Sequence, residues 1–409
     1  MILTTYYLIL GTKIMTNRQI YLSHVAQTIA TPLALEIDRA AGIYLYSPDG
    51  KKYIDAISGI SVSNVGHCHP HVVQAIQTQA SKYMHLMVYG EYIYSPQVKL
   101  CKKLVGILPS SLNNVYLVNS GAEATEGAIK LAKKYTGRSK LISFKKSYHG
   151  STNGALSLIG DEYFKEMYRP LLPDTLQLNY GNIEELNQID CRTAAVFFEP
   201  VQAESGIYIP TIEYVQALRK KCDEVGALLV FDEIQTGFGR TGSMFAFEQY
   251  HVVPDILLLA KGMGGGLPIG AFIADKKIMS AFMDNPILGH ITTFGGNAVT
   301  AATSLACIEV IENEQLIASV ESKGLLFEKN LHHHKAKAYR RKGLMMALEF
   351  DSFELNKKII DACIENGLIT DWFLFAPNCL RVCPPLIITE EEILEICKII
   401  NEQIKISLS

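Results

Sequence analysis

The 409-residue chain lacks any marked charge imbalance. Its 38 basic side chains meet 41 acidic ones, for a net charge of −3, so nothing global favours nucleic acid or an anionic membrane surface as a partner. Paired cysteines are missing too. Nine are scattered between Cys68 and Cys397, an odd number without a Cys-x-x-Cys pair, which suits free thiols in a reducing cytoplasm rather than a disulfide framework. No fixed-period repeat, low-complexity tract or Gly/Ser linker divides the chain. No apolar run reaches bilayer length: the opening MILTTYYLIL is too short, and Lys13 lies on the wrong side of it for a secretory signal. The reading that fits is translation from Met15, with residues 1–14 an extension.

With 48% apolar and 19% charged residues, disordered, collagen-like and coiled-coil classes are excluded. The length allows two or three domains, or one large domain with a smaller satellite, and a sizeable core. From about residue 100 the hydrophobic pattern becomes regular. It predicts a helix over 98–108, a buried strand over 115–118 and a helix over 122–135, the last opened by Asn119-Ser120-Gly121 as cap and turn. Strands over 140–144, 194–198, 227–231 and 256–260 and a helix over 212–225 follow. Runs such as ALLVF and ILLLA are apolar throughout, as expected of strands buried on both faces of a mainly parallel sheet with helices on either side. After a long helix over 298–312 the pattern suggests a smaller α+β part.

Ligands of such sheets sit beyond the carboxyl ends of the strands, and four strand ends carry unusual residues. At Asn119–Ala124 the glycine and the free N–H groups of a helix start favour a phosphate, although an ordinary capped turn would look the same. Asp232 and Glu233 follow an apolar strand, where an acid needs a positive partner or serves as a helix cap. Lys261 ends another apolar strand ahead of a glycine run. Desolvation there would leave its amine nucleophilic, whereas a surface lysine is the plainer alternative. Tyr148, beyond the 140–144 strand, could stack on a planar ligand or belong to the core. A phosphate cradle, an aromatic platform, a buried acid and a nucleophilic lysine around one crevice are the parts that hold pyridoxal phosphate.

The segments NSGAEATEGAIKLAKKY, YHGST, FFEPVQAESG, LLVFDEIQTGFGRTG, PDILLLAKGMGGGLPIGA and TTFGGN, flanked by GISVSNVGHCHP and LRVCPPLIIT, resemble the class III aminotransferases, from about residue 32 to the C-terminal helix. The resemblance implies an α/β chain of fold type I. It would have a large domain over 63–300 and a small domain formed by 15–62 with 301–409. It also implies an enzyme that moves an amino group, by a ping-pong mechanism, from an ω-amino acid, diamine or acetylornithine-like donor to 2-oxoglutarate or pyruvate.

Lys261 would hold pyridoxal 5'-phosphate as an imine and Asp232 would pair with its ring nitrogen. Gln235 would lie near the ring hydroxyl, with Ser120, Gly121 and Ala122 at the phosphate and Tyr148 and His149 beside the ring. Thr293 would reach the phosphate of a neighbouring subunit in a cytoplasmic homodimer with shared sites. Arg381 would grip the carboxylate of the 2-oxo acid, with Glu204 as its counter-ion. One departure stands out. Relatives acting on ornithine, acetylornithine or 4-aminobutyrate typically have an arginine after the His-Gly pair, where this chain has Ser151; Arg240 or Arg169 could replace it.

Other readings compete. An aminomutase, racemase or decarboxylase of the same fold would share every motif. A zinc hydrolase could use His67-Cys68-His69-Pro70-His71, although Pro70 reads as the first residue of a helix and no metal is expected. His332–His334 reads as a solvated stretch.

Overall fold

The computed structural model describes residues 15–88, 90–331 and 335–408; the expected extension over 1–14 and the histidine tract at 332–334 lie outside them. A seven-stranded sheet forms the centre. Its order is Asn114–Val118, Gly270–Ala274, Ile256–Leu259, Leu228–Asp232, Thr193–Phe198, Lys140–Phe144 and Thr175–Leu178. All strands run in parallel except Gly270–Ala274, which is antiparallel to both neighbours.

The alternation of side chains across the pleat explains the uninterrupted apolar runs. Leu228, Val230, Ile256 and Leu258 enter the core layer on one face. Leu229, Phe231, Leu257 and Leu259 enter the layer on the other. The first face is covered by the helix Gly121–Thr136, which buries Ala124, Ala128, Leu131 and Ala132. Gly127 brings that helix close to the sheet, because a Cβ there would lie 2.3 Å from the Phe272 ring. On the other face Ile212–Val225 buries Tyr214, Val215, Leu218 and Cys222. Ser120 caps Gly121–Thr136 with its side chain, and Gly137 ends it in the left-handed conformation.

Two further sheets have four strands each. Arg39–Ala41, Tyr44–Tyr46 and Lys52–Asp55 form an antiparallel set that takes Leu368–Ile369 in parallel, with Ile54 opposite Leu368. The chain's two ends are thereby stitched together. The other sheet, in the order Ala338–Lys342, Met345–Glu349, Ala376–Val382 and Asp371–Phe373, is antiparallel throughout. Its strand Ala376–Val382 carries Arg381.

Candidate active site

A cavity of about 290 Å³ opens beyond the carboxyl ends of the central strands, where a ligand site is expected in this architecture. Five strand ends supply its wall: Gly121 and Ala122, then Tyr148 with Ser151, then Glu199, Asp232 with Gln235, and Lys261. Lys261 is held at φ +45° between Ala260 and Gly262, a conformation that a side chain adopts at some cost and that recurs at functional sites.

At the deep end, the Asp232 carboxylate is buried. One oxygen accepts from His149 Nδ1 at 2.7 Å and the other from the Ile234 N–H at 3.1 Å. His149 is buried as well, and among the described residues its Nε2 has no hydrogen-bond partner. The neighbouring acid turns away: Glu233 accepts from Thr236 and from the N–H groups of Ala246 and Phe247. Burial lifts Glu233 to about 7, against the pull of those bonds. Glu199 accepts the Tyr148 N–H at 3.3 Å, and its carboxyl is raised well above the usual range, by burial first and by the charge of Asp232 second. Among the described residues the Lys261 amine has no hydrogen-bond or ion-pair partner. Burial pushes it down to about 8, Glu204 opposes that fall, Arg381 adds to it, and Asp232 and Glu199 oppose it more weakly.

A second charged group stands behind Gln235. One Glu204 oxygen accepts from Gln235 Nε2 at 2.8 Å and Arg381 Nη1 at 3.0 Å, the other from Arg381 Nη2 at 2.9 Å and the Leu374 N–H at 3.1 Å. Four donors thus saturate one buried carboxylate. Burial alone would raise Glu204, yet Arg381, with Lys261 and the Gln235 amide, holds it at about 2. Burial would likewise lower Arg381, but the charges of Glu204 and Asp371 outweigh it and keep the guanidinium above its ordinary value.

Known proteins resemble the chain over nearly this whole architecture. The family model described as aminotransferase class-III matches residues 25–404. The acetylornithine aminotransferase of Methanopyrus kandleri is 39% identical over 355 residues, 86% of this chain and 90% of that protein. Ornithine aminotransferase 1 of Staphylococcus aureus strain COL is 38% identical over 378 residues, 89% of this chain and 93% of that one. A crystallized ornithine aminotransferase from Toxoplasma gondii, with PLP in partial occupancy, superposes with a TM-score of 0.88 at 28% identity, covering 95% of this chain and 93% of that chain.

The chain belongs to the class-III aminotransferases.

This aminotransferase has the fold type I architecture and uses pyridoxal phosphate. The cavity fits that cofactor by its own chemistry. Its one lysine amine is unpartnered among the described residues, and a buried carboxylate and an aromatic wall face the same space. The N–H groups of Gly121 and Ala122 open a 16-residue helix at its rim, where four N–H groups have no intrahelical acceptor. Gly121 also lets the Ile234 side chain pack close, since a Cβ there would meet it at 2.7 Å.

The structure brings Gly121, Ala122, Tyr148, His149, Asp232, Gln235 and Lys261 to one cavity. It sets other expected residues apart from it. The Ser120 hydroxyl accepts the Glu123 N–H as a helix cap, and Thr293 is exposed and does not line this chain's own cavity. Gln235 directs its amide to Glu204. Neither substitute for the missing arginine is in place. Arg240 is fully buried on the carbonyls of Leu344 and Pro384 and the side chains of Ser58 and Asn64, and Arg169 pairs with Glu162 in solvent. Ser151 itself lies 3.1 Å from the Tyr148 hydroxyl.

The histidine cluster is divided among three carboxylates, His67 to Asp55, His69 to Glu314 and His71 to Glu309. Pro70 is the first residue of the helix Pro70–Ala80. Two participants went unassigned from sequence. Glu199 stood in the quoted FFEPVQAESG segment, at a strand end like the others. Asp371 carried no local signal, because only strand register brings it to Arg381.

Proposed function

We propose that this aminotransferase takes its amino group from a primary amine at the end of a chain, an ω-amino acid, diamine or acetylornithine-like donor, and passes it to a 2-oxo acid held by Arg381. The observation that carries the donor reading is the hydroxyl pair of Tyr148 and Ser151. Apart from Lys261, no lysine or arginine lines the cavity among the described residues, so its wall offers the far end of a donor hydroxyls rather than a second cation. The curated relatives named for acetylornithine and ornithine support a donor with a terminal amine.

When bound, pyridoxal phosphate supplies a ring that takes up the electron pair left on the donor carbon as its proton departs. In this reading Lys261 holds the cofactor covalently in the resting enzyme. Its amine, lowered to about 8, is then poised to take that proton and return it. Asp232, fixed by His149, would pair with the ring nitrogen. The N–H groups of Gly121 and Ala122 hold the phosphate, Ser120 orders that turn, and Tyr148 covers the ring. Glu204 neutralises Arg381 while the amine donor is bound and yields the guanidinium fork to the carboxylate of the 2-oxo acid.

The large domain is proposed as 63–300 and the small one as 15–62 with 301–409, which places Arg381 and Lys261 on different domains. A homodimer is proposed as well. Met84, Ile93, Met283, Ile287 and Phe294 are all exposed, and His85, next to Met84, packs on Phe294, so apolar side chains are available to a second copy. Thr293 is exposed beside Phe294. Among the described residues no helix is long and apolar enough to cross a membrane, and the nine cysteines are free, which supports a cytoplasmic setting.

The test is an absorption spectrum of the holoenzyme with single donors and no 2-oxo acid. Terminal amines should abolish the visible cofactor band stoichiometrically, and 2-oxoglutarate or pyruvate should restore it. Catalytic turnover of a donor without any 2-oxo acid would point instead to an aminomutase, racemase or decarboxylase and refute the proposal.

A further inference from the structure

One short strand holds Arg381 from three sides. Asp371–Phe373 runs antiparallel to Ala376–Val382, and the register sets Asp371 directly opposite Arg381, so both side chains project to one face. Asp371 Oδ1 lies 3.0 Å from Arg381 Nε, the Trp372 carbonyl accepts from Nη2 at 3.1 Å, and the Phe373 ring centre lies 4.4 Å from the guanidinium carbon. The Nε contact is close but off axis, so neither atom gains a hydrogen bond from it. It is an ion pair without the directional component.

Two carboxylates therefore share one guanidinium, and they occupy different edges of it. Glu204 holds the Nη1/Nη2 fork, the edge that a substrate carboxylate can take over. Asp371 stands at Nε, away from that fork. When Glu204 withdraws, Asp371 remains and still offsets part of the positive charge.

We propose that Asp371 is a positioning residue for Arg381, which aims the fork from its Nε edge and limits how tightly the 2-oxo acid is gripped. This rests on the assignment of Arg381 as the carboxylate-binding residue. A carboxylate on a fully uncompensated buried arginine would leave slowly. With Asp371 retained, the 2-oxo acid consumed in the acceptor half-reaction meets a partly neutralised partner. Burial pushes Asp371 up to about 6, against the pull of Arg381 and with Glu204 and Asp55 adding to the rise, so the group is ionised at pH 8.

The experiment measures binding of glutarate, an unreactive dicarboxylate, to the holoenzyme at pH 8 by titration calorimetry, alongside single-turnover kinetics of each half-reaction. Asp371→Asn removes the charge and keeps the shape. It should tighten glutarate and lower the KM for the 2-oxo acid by about fivefold, with the donor KM unchanged. Asp371→Glu should stay near wild type. Should the asparagine variant not retain cofactor, Asp371→Ser serves in its place with the same expectation. Unchanged or weaker glutarate binding in the neutral variants, while Arg381→Gln abolishes it, overturns the role of Asp371 alone. If Arg381→Gln binds glutarate as wild type does, the assignment of Arg381 falls and this proposal falls with it.

Discussion

The cavity and the charged cluster behind Gln235 are built in opposite ways. Around the cavity, Gly121, Tyr148 and Lys261 each follow a central strand by a few residues, and Asp232 ends one. In the charged cluster behind Gln235, Glu204, Arg381 and Asp371 come from a loop and from two strands of another sheet. Among the described residues the cavity presents one unpartnered amine, whereas the cluster is saturated, with four donors on Glu204 and two acids on Arg381. A site that must react keeps a group free, whereas a site that must exchange two ligands keeps its charges paired until a substrate displaces one. Changes around the cavity should therefore harm both half-reactions, and changes in the cluster should harm one.

The largest expected effect is that of Lys261→Ala. Both half-reactions should slow by about 10⁴-fold or more, and the band of the bound cofactor should vanish; a variant impaired with the donor only would break the comparison. Asp232→Asn should slow both by roughly 10²–10³-fold, read by single-turnover absorbance with each substrate. Arg381→Gln is expected to act on one side, lowering kcat/KM for the 2-oxo acid by about 10²-fold and leaving the donor rate close to wild type. Because it leaves Glu204 buried and unpaired, it should also destabilise the fold by about 3 kcal/mol in urea.

Acid sharpens the same contrast. Glu204 sits at about 2 in the folded chain against an ordinary 4.5, so its contribution to stability is complete above pH 4.5 and is lost as the pH falls from there toward 2. Arg381→Gln should flatten that limb of the urea midpoint against pH, and an unchanged slope would show that the pair does not couple to folding. The smallest effect is expected from Ser151→Arg, which adds a cation beside Tyr148. Donors with a far carboxylate should gain at most about tenfold in KM, with no change for simple diamines.

The strands at 140–144 and 256–260 and the helices at 122–135 and 298–312 were legible because apolar spacing, caps and glycine stops act within a few residues. The antiparallel strand Gly270–Ala274 was not, since direction is set by what it pairs with. Lys261 and Asp232 could be singled out because a charge at the end of an apolar strand is costly unless it has a use. Arg240, by contrast, read as a possible substrate clamp until the fold enclosed it among carbonyls and the side chains of Ser58 and Asn64.

The sequence by itself determined the family, the central α/β sheet and the strand-end residues that line the cavity, because each of those parts rests on a contiguous strand, turn and helix start. Only the tertiary structure decided that Glu204 is saturated by four donors, that the histidines at 67, 69 and 71 go to three separate acids, and that Asp371 faces Arg381. Those contacts join residues far apart in the chain or depend on strand register, and neither is set by any local pattern.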